Sequence, residues 1–218
     1  MSKARDNILA RLRAKNAEKA PVDLDRDFKS PDWSREQRIE LFCKAMRSVR
    51  AEVHRVTAAD WPEQLAQLVK EKKLKNLLYA PAGPLGKQIE TTWRIGEGLP
   101  ELVAHEADVD GWKEELFFDI DAAITSTRSG IAEVGALILW PTPEEPRTFS
   151  LVPPIHIALV EADKLHNTFA DAIADENWQD GMPTNALLIS GPSKSADIEQ
   201  TLAYGVHGPV ELIVLLIE

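Results

Sequence analysis

The chain has 218 residues, 44% of them hydrophobic, which is enough for a buried core and too apolar for a disordered chain. Its net charge of −10 argues against nucleic acid as the main partner, and its one cysteine, Cys43, excludes an internal disulfide and cannot by itself hold an iron–sulfur cluster. No apolar stretch approaches the roughly 20 residues needed to span a bilayer, and no apolar export signal follows Met1, so a cytoplasmic location is expected.

The charge is uneven. Residues 1–20 carry a local +4 and the remainder −14. Ile8, Leu9 and Leu12 form a narrow apolar stripe on this basic segment, which reads as a helix too weak to fold alone. It is either a docking element or a solvated helix. Residues 21–31 are polar and proline-bounded, so residues 1–30 read as helix and linker and 31–218 as the main domain. Ser34 and Gln37 have capping-box spacing ahead of Ile39, Leu41, Phe42, Met46 and Val49, which predicts a helix from Ser34. Within it, Cys43 reads as a buried, inert thiol.

From there the pattern alternates. Strands are predicted at 52–56, 77–80, 101–104, 121–125, 155–160, 186–189 and 210–217, with helices at 61–73, 84–93, 112–118, 162–174 and 196–204. Short apolar strands between amphipathic helices imply an α/β fold, a mostly parallel sheet sandwiched by helices. Two further runs, 131–134 and 136–140, lie too close together for a crossover, so a small antiparallel insert is expected, with Gly135 at its bend. Ligands of open α/β sheets bind beyond the carboxyl ends of strands. That rule selects 125–130, with Ser126, Arg128 and Gly130, the start of the 141–154 loop, and 190–195.

The 190–199 stretch is the richest in chemistry. A strand turning through Gly191 and Pro192 into a helix would aim free N–H groups at the turn, where Ser193, Lys194 and Ser195 add two hydroxyls and an ammonium. This is either an anion site or a helix capped by Ser195, with Asp197 and Glu199 in its first turn. Glu133, in an apolar strand pair, is either a working carboxylate or a strand-end acid paired with Arg128 or Arg147. Arg128 and Arg147 could clamp a carboxylate or serve as structural ion pairs. His156 follows two prolines at a strand entrance, and His207 lies between glycines in a turn. Each reads as a loop-fixing residue or a ligand contact. No His, Cys or Asp cluster has metal-ligand spacing, and the usual dinucleotide and ATP fingerprints are absent.

Three segments, 124–139, 147–156 and 190–199 with Gly205-Val-His-Gly-Pro209, together resemble the lactate utilization protein C family, the LUD-domain proteins also called LutC or YkgG. The resemblance covers roughly 34–218. It implies a fold like that of the NagB/RpiA/CoA-transferase proteins. It also implies a place beside two iron–sulfur subunits that oxidise L-lactate to pyruvate, the clusters residing on those partners. This chain departs from the pattern at Val134 and Ala136, which replace two hydroxyls, and has Ser195 and Lys194 where threonine and arginine are usual. Lysine keeps the charge and loses the bidentate fork.

The expectation is a cluster-free subunit of a lactate-oxidising complex, with room for homo-oligomerisation. A common hollow at the strand carboxyl ends would bind a small carboxylate or phosphate through Ser126, Arg128, Gly130, Gly135, Arg147, His156, Ser190, Gly191, Ser193, Lys194, Ser195, Asp197 and His207, with Glu133 as candidate catalytic residue. The alternative is an independent enzyme acting on a small carboxylate, a phosphorylated metabolite or a CoA-linked one.

Overall fold

A computed structural model of the chain describes residues 3–16, 29–104, 111–196, 202–205 and 207–218. Contacts divide it into two units, 1–30 and 31–218. In the first, α1 (Lys3–Asn16) is the described helix. The linker expected over 21–31 falls mostly outside the described residues.

The second unit is built on a six-stranded sheet in the order β1-β12-β7-β4-β2-β3, with every pairing parallel. Its strands are β1 (Glu52–Val56), β2 (Asn76–Tyr79), β3 (Glu101–Ala104), β4 (Ala122–Ser126), β7 (Ile155–Glu161) and β12 (Glu211–Ile217). The central strands read as continuous apolar runs because both of their faces are covered. On one face α3 (Trp61–Glu71) and α4 (Gly86–Ile95) set Trp61, Leu65, Leu68, Val69 and Ile89 against Ile124, Ile157, Leu159, Ile213 and Leu215. On the other, α2 (Arg35–Ser48) lays Ile39, Phe42, Cys43 and Met46 on Ala158, Val160, Leu212, Val214 and Leu216. Beside it α5 (Lys113–Phe118) and α6 (Thr148–Leu151) bring Leu116 and Phe149 onto Leu78 and Ala123. Each fully buried aliphatic or aromatic side chain contributes roughly 1.5–3 kcal/mol. The exposed pairs of Arg55 with Glu36, Glu40 and Glu218 are secondary, since surface ion pairs rarely exceed about 1 kcal/mol.

The capping box expected at the start of α2 is formed. Ser34 Oγ accepts from Gln37 N at 3.3 Å, and Gln37 Oε1 accepts from Ser34 N at 2.9 Å. Cys43 is buried, and desolvation pushes its thiol pKa up, away from the reactive thiolate.

The antiparallel insert is present and larger than the sequence suggests. β5 (Ser129–Ile131) and β6 (Ala136–Leu139) form the hairpin, and β8 (Leu165–His166) and β9 (Leu187–Ile189) flank it in the order β8-β5-β6-β9. This second sheet packs Leu137, Leu139 and Leu165 into the same core as α2. α2 therefore lies between two sheets. The connecting turn, 132–135, uses Gly135 at φ +58°, and a Cβ there would lie 2.6 Å from Ala45 Cβ and 2.8 Å from Met46 N.

Three predicted elements differ. The helix expected over 162–174 is broken into a 3-10 turn (Ala162–Lys164), β8 and α7 (Phe169–Asp175). Leu165 and His166 are drawn into a parallel ladder with Gly130 and Ile131, and a capping box between Thr168 and Asp171 restarts the helix. The strand expected at 131–134 ends at Ile131, which puts Glu133 in a turn. The helix expected over 196–204 is replaced at both described ends by β10 (Lys194–Ala196) and β11 (Leu202–Tyr204), paired antiparallel. Gly205 N donates to Ser193 O at 2.9 Å and Ser193 N to Pro209 O at 2.8 Å, holding this stretch extended.

Gly135→Ala combines a left-handed backbone with a collision against α2. It should lower stability by about 2 kcal/mol or more. Urea unfolding of the two proteins measures this, and a loss below the error of the midpoints would contradict the packing described.

Candidate functional site

The three polar segments do not share one hollow. Two of them do. Residues 150–156, 188–194 and 207–212 enclose a cavity of about 290 Å³, lined by Ser150, His156, Ser190, Gly191, Ser193, Lys194 and His207 among others. It lies at the amino ends of β7 and β12, since His156 and Leu212 are paired near the starts of those strands. The expected location at strand carboxyl ends thus holds only for β9, from which Ser190 departs. Gly191 turns that corner at φ +126°.

His156 is the chemical centre of this cavity. It is 1% exposed, its Nε2 lies 2.9 Å from Thr125 Oγ1, and its buried Nδ1 has no hydrogen-bond partner. Burial pulls its pKa down from 6.5 to about 3, so the ring is neutral at physiological pH. Because the folded pKa is depressed, the associated stability is full above the unfolded value and is lost as pH falls toward 3. A neutral ring has one N–H. If Thr125 donates to Nε2, Nδ1–H is a donor. If Thr125 accepts, Nδ1 is an acceptor. The walls add the Ser193 and Ser150 hydroxyls, with Lys194 and His207 exposed at the rim. Ser150 Oγ donates to Arg147 O at 3.0 Å.

The remaining predicted residues lie elsewhere. The Arg147 side chain is exposed at the start of α6 and lines none of these cavities. Ser195 is a ladder residue opposite Ala203, not a helix cap. Asp197 lies outside the described residues. Glu133 is exposed in the β5–β6 turn, where its backbone N donates to Asn167 O at 3.0 Å, so the cost of a buried charge disappears. Gly130 is buried, and a Cβ there would meet Leu165 Cδ2 at 2.7 Å. Gly130 and Gly135 are packing glycines.

Ser126 and Arg128 belong to a second site at the carboxyl edge of the sheet. With Thr127, Trp140, Thr142, Asp163, Lys164, His166 and Glu176 they line a cleft of about 640 Å³. Ser126, Thr127, Asp163 and Lys164 also line an adjoining crevice of about 510 Å³, whose walls include Trp61, Leu85, Leu159 and Ile217. The crevice borders the switch point of the sheet, where the chain leaves adjacent strands β2 and β4 in opposite directions.

Sequence reasoning missed the carboxylates here. Glu145 Oε2 accepts from Ser126 N at 3.1 Å and Ser126 Oγ at 2.5 Å. Burial raises its pKa, and these two donors only partly oppose that. Glu176 accepts from Arg128 Nε and, at 2.9 Å, from Trp178 Nε1, and it meets His166 Nε2 at 3.1 Å. Partial burial pushes Glu176 up, and the surrounding donors hold it below the usual carboxylate range. The strand-end rule did reach the 141–154 loop. An acid flanked by prolines in that loop was the available signal for Glu145. Nothing in spacing links His166 to Glu176 until the 162–174 helix is broken. Among the described residues no cluster of His, Cys, Asp or Glu could hold a metal, and no helix is long and apolar enough to cross a membrane.

Glu145 supplies a test of this geometry. Its folded pKa is raised, so its contribution to stability is full at acid pH and is lost as pH rises through that value. Glu145→Gln keeps an acceptor for Ser126 without a desolvated charge. It should be more stable than the wild type near about pH 8, the gap closing toward about pH 4. Urea midpoints at both pH values measure it, and an equal or lower midpoint at the higher pH contradicts it.

Comparison with known proteins places the chain. The LUD domain matches residues 39–217. An uncharacterised protein of Neisseria meningitidis serogroup B is 41% identical, over 98% of this chain and 93% of its own length. Lactate utilization protein C 1 of Bacillus mycoides is 29% identical over 98% of this chain and 97% of its own. Lactate utilization protein C of Bacillus subtilis is 36% identical over 56% of this chain and 52% of its own. A DUF162 family protein of Deinococcus radiodurans, 21% identical, shares the fold at a TM-score of 0.61, over 85% of this chain and 99% of its own. The chain belongs to the LUD domain family.

Proposed function

We propose that this chain is a cluster-free subunit in lactate utilization, working in the cytoplasm beside iron–sulfur subunits, and that the cavity around His156 holds a small carboxylate such as lactate or pyruvate. The role follows its relatives, above all the near full-length similarity to lactate utilization protein C 1. Clusters do not fit this chain. Its only thiol is buried in the α2 core, with its pKa raised, and cannot supply the four thiolates a cluster usually takes. Electron transfer then belongs to the partners.

One observation carries the ligand assignment: a buried His156 Nδ1 without a partner, on a ring that lines a small cavity whose walls also hold Ser193 and Lys194. An unmade buried hydrogen bond is costly, so a ligand that completes it gains affinity. A 2-hydroxy or 2-oxo acid can set its oxygen on His156 and its carboxylate at Lys194 and Ser193. The neutral ring, backed by Thr125, can orient that oxygen or exchange one proton with it.

Thermal shift with lactate and pyruvate tests the cavity, since a ligand that binds only the folded state raises the melting temperature. Lys194→Gln, at an exposed position, should weaken binding roughly ten- to a hundredfold by removing a charged contact. Unchanged binding by that variant rejects the cavity. Co-purification from the native host tests the role, and a chain that never associates with cluster-bearing subunits and is dispensable for growth on lactate rejects it.

A second reading, an enzyme on a small carboxylate, phosphorylated or CoA-linked metabolite, is favoured by Glu145, a desolvated carboxyl beside the switch-point crevice. Glu133 has no part in either reading at this geometry, being exposed and outside both sites.

A further inference from the structure

We propose that Arg128, held by Glu176 and Trp140 at the carboxyl edge of the sheet, is the receptor for the carboxylate or phosphate end of an organic anion whose apolar body lies in the adjoining crevice. This site is separate from the His156 cavity and does not depend on its assignment.

The arginine is fixed before any ligand arrives. Its backbone N donates to Ile138 O at 2.8 Å, and its guanidinium carbon lies 3.6 Å from the centroid of the Trp140 ring. Its Nε is committed to Glu176, whose side chain is only 12% exposed and is itself held by His166 and Trp178. Trp178 in turn packs edge-on against Trp140, with centroids 5.3 Å apart. Arginine thereby loses little rotamer freedom on binding, and its two terminal nitrogens keep the fork that suits an oxyanion.

Those terminal nitrogens make no hydrogen bond to a described residue, while the Arg128 side chain is 34% exposed in the cleft. The buried Trp140 Nε1 also has no partner. The acids that line the cleft and crevice are already answered by cations, Asp163 by Arg35, Glu161 by Lys164, Glu176 by Arg128 and Glu218 by Arg55, and Glu145 beside them is held by the Ser126 donors. The unmet groups are therefore donors, and an anion is the ligand they select.

The shape of the space sets the rest of the ligand. The cleft of about 640 Å³ is far larger than an acetate or phosphate ion needs, and it continues past Ser126 and Thr127 into the crevice walled by Trp61, Leu85, Leu159 and Ile217. An anion with a hydrocarbon or aromatic body would cover that apolar wall, and burial of such area adds affinity that a bare ion lacks.

Isothermal titration with the full chain tests this, using 4-phenylbutyrate and phenyl phosphate as probes against acetate and inorganic phosphate. At least one aromatic probe should bind about tenfold or more tightly than its bare counterpart. Whichever is tighter identifies the head group as carboxylate or phosphate. Arg128→Gln should lower that affinity about tenfold or more. Arg128→Lys keeps the charge without the fork, and should recover only part of it. Lys194→Gln, at the other edge of the sheet, should leave it unchanged. Circular dichroism and melting curves confirm that each variant is folded. If Arg128→Gln is unfolded, Arg128→Lys alone decides, and wild-type affinity there overturns the proposal. So do binding by neither aromatic probe, equal binding of bare and aromatic anions, full affinity in Arg128→Gln, or loss of affinity in Lys194→Gln.

Discussion

An all-parallel sheet has no face it can leave to water. Here that constraint organises everything else. β12 and β7 are apolar on both sides, so helices must lie on both, and each strand must return through a crossover. Those crossovers carry the functional groups. The stretch between β4 and β7 holds the hairpin, Trp140, Glu145 and α6. The stretch between β7 and β12 holds β8, α7, β9 and the polar turn at 190–194.

The two inserts meet as the second sheet, and this separates the chemistry into two edges. Ser126 and Arg128 leave the carboxyl end of β4. His156 enters at the amino end of β7, the strand beside it. A buried side-chain contact, Thr125 Oγ1 to His156 Nε2, joins these neighbouring strands between them. Because the strands are parallel, the two cavities lie toward opposite ends of them.

Much of this was legible in the residues. The α/β class, the central strands, the α2 capping box and the hairpin all follow from period, cap spacing and strand composition. So does the gathering of His156, Ser193, Lys194 and His207, although on the wrong edge. Sequence spacing says which loops follow strands. It does not say to which sheet a strand belongs, and β9 belongs to the smaller one. The broken elements had a common cause. Residues 165–166 have no strand pattern of their own and become extended only because Gly130 and Ile131 offer them a ladder. Tertiary pairing overrode local propensity there, and with it went the information that would have brought His166 and Glu176 together. Glu133 illustrates the reverse error. An acid between apolar residues suggests burial, yet the strand stops at Ile131, three residues sooner than expected, and the turn carries Glu133 outward.

The position of α2 has an evolutionary corollary. Its residues Phe42 and Met46 sit in a core shared by both sheets, and the Gly135 turn rests on its backbone at Ala45 and Met46. Inserting or deleting a residue inside this helix would rotate every side chain beyond it by about a hundred degrees and misfit two layers simultaneously. Homologues should therefore vary in length within their surface loops and conserve the span of this one helix, so that it serves as the ruler by which the rest of the domain is aligned.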